Sequence, residues 1–242
     1  YFVTMLGAAV VFVFRTVNQK VMDIMMGFSA GVMIAASYWS LLAPAIIQAE
    51  SNGENAAVIV AIGFASGGMF VLATDFLLNR CIKRKQKDNG WKRSILLITA
   101  VTMHNIPEGL AVGVAFGCVG SGDGEASIIG AVMLALGIGI QNFPEGTCVA
   151  IPLRREGVSP MKSFLIGQFS GMVEPVAGVL GAAFALTAEK ALPAALSFSA
   201  GAMICVVCME LVPESFRDNK YLAALGVLAG FIIMMVLDVT LG

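Results

Sequence analysis

The chain has 242 residues, 58% of them hydrophobic and only 13% charged, with a mean hydropathy of +0.86. That is too apolar for an ordinary water-soluble domain, and a formal net charge of -1 leaves no broad basic surface for a nucleic-acid partner. A helix that crosses a bilayer uses about 20 apolar residues, so the chain has room for roughly eight crossings and no separate soluble domain.

Apolar runs predict helices over residues 1–14, 24–48, 56–79, 94–118, 127–152, 160–187, 191–213 and 221–241, a single transmembrane domain spanning 1–242. The first run is short and lacks a charged flank, which suggests that this helix is incomplete; without a basic leader or a small-residue cleavage site it does not read as a signal peptide. The links between the runs alternate in charge. Every Lys and Arg except Lys190 falls in or beside the first, third, fifth or seventh link, the densest stretch being the basic loop 80–93, whereas the even links carry Glu50, Glu54, Asp123, Glu125 and Glu189. By the positive-inside rule the odd links are cytosolic and both termini are not, and losing one crossing would destroy the alternation. The plasma membrane and an organelle membrane fit this pattern equally. Cysteines 81, 118, 148, 205 and 208 mostly lie inside apolar runs and form no disulfide framework. Cys205 and Cys208 make a CxxC, but in an apolar helix packing is its expected role.

Against this background the informative residues are ionisable groups far from helix ends, namely His104, Glu108, Glu145, Glu174 and Glu210. An acidic side chain at mid-membrane costs about 3 kcal/mol on insertion scales. The basic residues sit in the links and cannot compensate it, whereas a cation arriving from solution can. Asp75 and Asp238 read as helix-end or interhelical hydrogen-bonding groups.

The spacing is specific. The fourth helix reads His104-Asn105-Ile106-Pro107-Glu108-Gly109 and the fifth Gln141-Asn142-Phe143-Pro144-Glu145-Gly146, the same N-x-P-E-G 37 positions on. Residues four apart share a helix face, so His104 sits over Glu108 and Gln141 over Glu145, with Asn105 and Asn142 flanking. Pro107 and Pro144 each remove a backbone donor, which predicts a kink and a loosened backbone facing a polar cavity. One imidazole, two carboxylates and several amide oxygens suit Zn²⁺ or a related divalent ion better than Ca²⁺. Glu174, followed by Pro175, adds a further carboxylate from the sixth helix; Glu210 and Glu214 mark the seventh.

At these residues the sequence resembles the ZIP (ZRT/IRT-like) metal transporters, in particular the GufA-type branch. HNIPEGLAVGVAFG, GIGIQNFPEGTCVAIPLR, GQFSGMVEPVAGVLGA, SAGAMICVVCMELVPE and MMVLDVTLG match in order along nearly the whole chain. The resemblance implies an all-α membrane protein of eight transmembrane helices, an inverted repeat of three helices on each side of a central pair (3+2+3). It also implies a metal site between the fourth and fifth helices, a homodimer, and an elevator-like movement. Carried over by residue, the transport site falls on Met33, His104, Glu108, Gln141 and Glu145. An adjacent position falls on Asn105, Glu108, Asn142, Glu145 and Glu174, where Asn142 stands in place of an Asp and removes a carboxylate. Glu210 and Glu214 fall on the way out, where Met209 replaces a histidine of some relatives.

These readings converge on a transporter, not an enzyme, with Zn²⁺ as cargo rather than permanent cofactor. Its partners are divalent ions and membrane lipids. Cd²⁺, Mn²⁺, Fe²⁺ and Cu²⁺ remain open as cargo because ligand type alone does not fix selectivity. A proton- or sodium-coupled carrier of a small organic solute is the alternative, since broken helices with carboxylates also serve such carriers.

Overall fold

A computed structural model of the chain describes residues 1–14, 18–83, 102, 105–106, 108–119, 128–155, 157–187 and 191–241. The described residues are helical with no strand. In chain order the helices are α1 (Phe2–Ala9, extended by a tighter turn Val10–Phe12), α2 (Gln19–Ser51), α3 (Ala56–Lys83), α4 (Glu108–Cys118), α5 (Ile128–Arg155), α6, α7 (Leu192–Ser215) and α8 (Lys220–Leu241). Helix α6 has two segments, Pro160–Ser170 and Val173–Thr187, separated by a turn at Gly171–Met172. Six of these stretches are long and apolar enough to cross a membrane, while Phe2–Phe12 and Glu108–Cys118 are shorter. The expected beginning of the fourth helix, 94–101, and the basic loop beyond Lys83 lie outside the described residues.

Helix α5 contains Pro144, where the sequence predicts a kink, and Pro152. That helix stays helical through both. An interruption falls in α6, where Gly171 and Met172 bond back only three residues, to Gln168 and Phe169. Pro175 then sits in the first turn of the second segment, where its missing N–H costs least. Two further irregularities, wide π-type turns at Ser37–Leu42 in α2 and Val207–Leu211 in α7, precede Pro44 and Pro213. Those prolines cannot donate to the carbonyls four residues back, those of Ser40 and Met209, and the helix widens there.

The two widened helices are matched in sequence and in packing. Phe28-Ser29-Ala30-Gly31 of α2 reappears as Phe198-Ser199-Ala200-Gly201 in α7. Where Gly31 has no side chain the carbonyl of Val227 on α8 fills the space, and at Gly201 the carbonyl of Phe64 on α3 does the same. Thus α2 packs on α8 as α7 packs on α3, with only glycine allowing the backbones so close. Helix α1 lies against α5 and the first segment of α6, and α5 also meets α2. The buried apolar core runs along α2, α5 and α7 through Met33, Leu134, Met203 and Met234 of α8.

Candidate metal centre

Within this core the buried polar side chains gather on α4, α5 and the break in α6. Glu108 and Gln141 are 0% exposed, Glu145 2% and Glu174 9%. Asn105 and Asn142 are buried beside them, and Met33 is buried on α2. His104 and Pro107 lie outside the described residues.

The glycine of each N-x-P-E-G explains how these helices approach. A Cβ at Gly109 would meet the Glu174 Cα at 2.8 Å, and one at Gly146 would meet the Ala8 amide nitrogen at 2.9 Å. The two motif glycines therefore seat α4 on α6 and α5 on α1, and they bring Glu108 and Glu145 together with Glu174. Helix α2 is tied in at the same level, where the Ser29 hydroxyl donates to the Gln141 carbonyl at 3.2 Å.

Hydrogen bonds fix which way the amides face. Gln141 donates its Nε2 to Glu108 Oε1, and Asn142 donates its Nδ2 to Glu174 Oε2 at 2.8 Å. Asn105 donates to the Ser170 carbonyl at 3.0 Å, the carbonyl freed where α6 breaks. Each amide nitrogen is thereby spent on a protein acceptor. The oxygens are left: Asn105 Oδ1, Glu108 Oε2, Gln141 Oε1 and Asn142 Oδ1 are buried and take no hydrogen bond from the described residues. Leaving a buried acceptor unmatched costs about 1–3 kcal/mol each, a cost that a donor or a cation would offset.

The carboxylates add to this. Glu108 lies within electrostatic reach of both Glu145 and Glu174. Glu174 also accepts from the Thr4 hydroxyl at 3.3 Å. Among the described residues no three His, Cys, Asp or Glu side chains close tightly enough to hold an ion alone. Amide oxygens stand beside the carboxylates. Carboxylate and amide oxygens at one buried point fit a divalent cation.

Sequence comparison agrees. The family model described as ZIP Zinc transporter matches residues 90–238, more than half of the chain. The chain belongs to the ZIP family. It is 41% identical to zinc transporter ZIP11 of Xenopus tropicalis and 38% identical to zinc transporter ZIP11 of Homo sapiens, in each case over 99% of this chain and 94% of the relative. Zinc transporter GufA of Myxococcus xanthus is 35% identical, again with 99% and 94% covered. ZIP membership makes this chain a transporter rather than an enzyme, and with its six long apolar helices an integral multi-pass membrane protein.

Two groups in this ZIP centre carry no sequence signal. Thr4 is a single hydroxyl in an apolar helix, yet it contacts Glu174. Ser29 is one small residue among many in α2, yet it ties that helix to Gln141. The residues expected further along lie on α7. Glu210 lies in the widened turn of α7, and Glu214 pairs with Arg217 at 3.1 Å near the helix end. Cys148, one turn after Glu145, is within electrostatic reach of both Glu145 and Glu214.

Proposed function

We propose that this chain carries a divalent metal ion, zinc first, across the membrane on a site formed by Glu108 and Glu145. The observation that carries this reading is the pair of buried carboxylates on adjoining helices, surrounded by amide oxygens with no hydrogen-bond donor among the described residues. Gln141 and His104 complete the ligand set, with the Met33 thioether from α2. Asn105, Asn142 and Glu174 line an adjacent, weaker position. There Asn142 and Thr4 donate to Glu174 and compete with a metal for its oxygens.

The ion enters from the extracellular or luminal side and leaves to the cytosol. Supporting the route out, Cys148 lies in reach of both Glu145 and Glu214, with Glu210 one turn before Glu214. Eight crossings in a 3+2+3 inverted repeat accord with the matched packing of α2 on α8 and α7 on α3. In this reading α1, α4, α5 and α6 carry the ion as a unit and slide along the frame of α2, α3, α7 and α8, and two copies associate through their frames. The basic links supply the orientation, with both termini non-cytosolic.

The test is uptake of radioactive zinc into proteoliposomes. Wild type accumulates zinc down its gradient, and Glu145→Ala loses uptake while eluting as a folded protein. Equal uptake by the variant would overturn the site.

A further inference from the structure

The CxxC of α7 has a neighbour that its sequence setting does not reveal. Cys205 Sγ lies 3.5 Å from Met209 Sδ, one turn on. Cys205 also has Cys208 and Asp75 of α3 within electrostatic reach, and neither cysteine is in a disulfide. Cys208 is exposed. Three sulfur atoms therefore crowd one face of a single turn, and two of them stand at a separation that one ion with metal–sulfur bonds of about 2.3 Å can bridge.

The fold does not require this sulfur. At the matching positions in α2, counted from the shared Phe-Ser-Ala-Gly, stand Ala35, Tyr38 and Trp39, and that helix makes the same widened turn without any sulfur. Nor does the zinc centre use it, since Glu108, Gln141 and Glu145 lie on other helices. π-type turns inside α-helices occur often at functional sites, and Cys208 and Met209 lie within this one.

We propose that Cys205, Cys208 and Met209 form a second metal site, selective for a soft monovalent ion such as Cu⁺. Two thiolates and a thioether are soft donors. A structural Zn²⁺ prefers a four-ligand cage, and three sulfur donors suit a soft, low-coordinate ion better. Each cysteine that ligates gives its proton to water, and no oxidant or reductant is needed.

The experiment uses the full chain in lipid nanodiscs, titrated with Ag⁺, which matches Cu⁺ in charge and softness, and with Cu⁺ against a competing chelator. Wild type is expected to withhold one ion per chain, with only sulfur in the X-ray absorption shell. Cys205→Ser and Cys208→Ser each weaken binding at least about tenfold, the loss seen when even an outer partner of a metal site is removed. Met209→Leu, which keeps the apolar volume, weakens it too and serves if a serine variant does not fold. Zinc uptake by Cys205→Ser and Cys208→Ser stays at the wild-type level, and Glu145→Ala keeps its silver. The proposal is overturned if folded Cys205→Ser and Met209→Leu bind silver as wild type does. It is likewise overturned if nitrogen or oxygen ligands dominate the spectrum, or if Glu145→Ala abolishes binding.

Discussion

Gln141 on α5 donates its side-chain amide to the carboxylate of Glu108 on α4, joining the two N-x-P-E-G helices through one hydrogen bond inside the core. The bond occupies Oε1 of Glu108 and leaves its Oε2, with the Gln141 Oε1, without a donor among the described residues. The donor is thus spent on the protein, and in the proposed function the acceptors are left for the cargo.

Gln141→Ala removes that donor and one amide oxygen together. A buried carboxylate then loses a partner, a loss worth about 1–3 kcal/mol. Zinc should nevertheless bind more weakly by one to two orders of magnitude, the loss typical when a group supporting a metal ligand is removed. Calorimetric titration of the variant in detergent checks this, and affinity equal to wild type would remove Gln141 from the site.

Glu145→Gln separates function from stability. Replacing a buried carboxylate by its neutral isostere relieves the cost of burying charge without a cation. Metal-free Glu145→Gln should therefore melt at or above the temperature of metal-free wild type, while zinc no longer raises its melting point. Thermal denaturation with and without zinc measures both; a variant that melts lower and still responds to zinc contradicts the assignment.

Much of this centre was legible in the sequence because burying charge in an apolar helix is costly, and so each intramembrane Glu stands out. Glu108, Glu145 and Glu174 were found that way, and the structure gathers them. The long helices were legible from length and apolarity alone. What escaped were features without such a cost. Thr4 and Ser29 are small hydroxyls that an apolar helix tolerates, and only the fold sets them against Glu174 and Gln141. The widened turns at Ser37–Leu42 and Val207–Leu211 sit in continuous apolar runs, where periodicity does not register one residue more per turn. Proline alone does not reveal where a helix is interrupted, because interruption also needs neighbours that accept the bend. Gly171 beside Thr4 of α1 supplies it in α6, whereas Pro144 is packed within a continuous helix. The Cys205–Met209 contact was invisible for a related reason, since sulfur in an apolar helix is ordinary until its partner is placed.

Protons compete with the metal for the same carboxylates. A metal needs its ligands deprotonated, so acid lowers zinc affinity and each carboxylate that binds zinc releases a proton where it held one. Zinc affinity should fall as pH falls, and Glu145→Gln should show a shallower fall, because one competing carboxylate is gone. Isothermal titration in buffers of different ionisation enthalpy counts the released protons. A pH-independent affinity would remove the carboxylates from the first ring of ligands.

Asn142→Asp tests the adjacent position. Asn142 now donates to Glu174 at 2.8 Å, a bond that an ionised Asp cannot make. The substitution places a second carboxylate against the first, and their repulsion is relieved by either a shared proton or a cation. At neutral pH and saturating zinc, bound metal is expected to rise from one ion per chain toward two, measured by elemental analysis after gel filtration. A stoichiometry that stays at one would mean that Glu174, held by Thr4 as well, is not a metal ligand.

Two glycines give the last and most local prediction. A Cβ at Gly109 would stand 2.8 Å from the Glu174 Cα, a backbone atom that cannot swing away, whereas a Cβ at Gly139 on α5 meets nothing within 4 Å. Gly109→Ala must therefore push α4 off α6 and move Glu108 from its partners. Overpacking of this kind costs about 1–3 kcal/mol. Gly139→Ala adds helix propensity without a clash and should stabilise by up to about 1 kcal/mol. Melting temperatures of the two variants should thus shift in opposite directions from wild type, and zinc uptake should fall only in Gly109→Ala. If uptake survives in a folded Gly109→Ala protein, the close seating of α4 on α6 is dispensable for placing Glu108, and the site must be held by α5 alone.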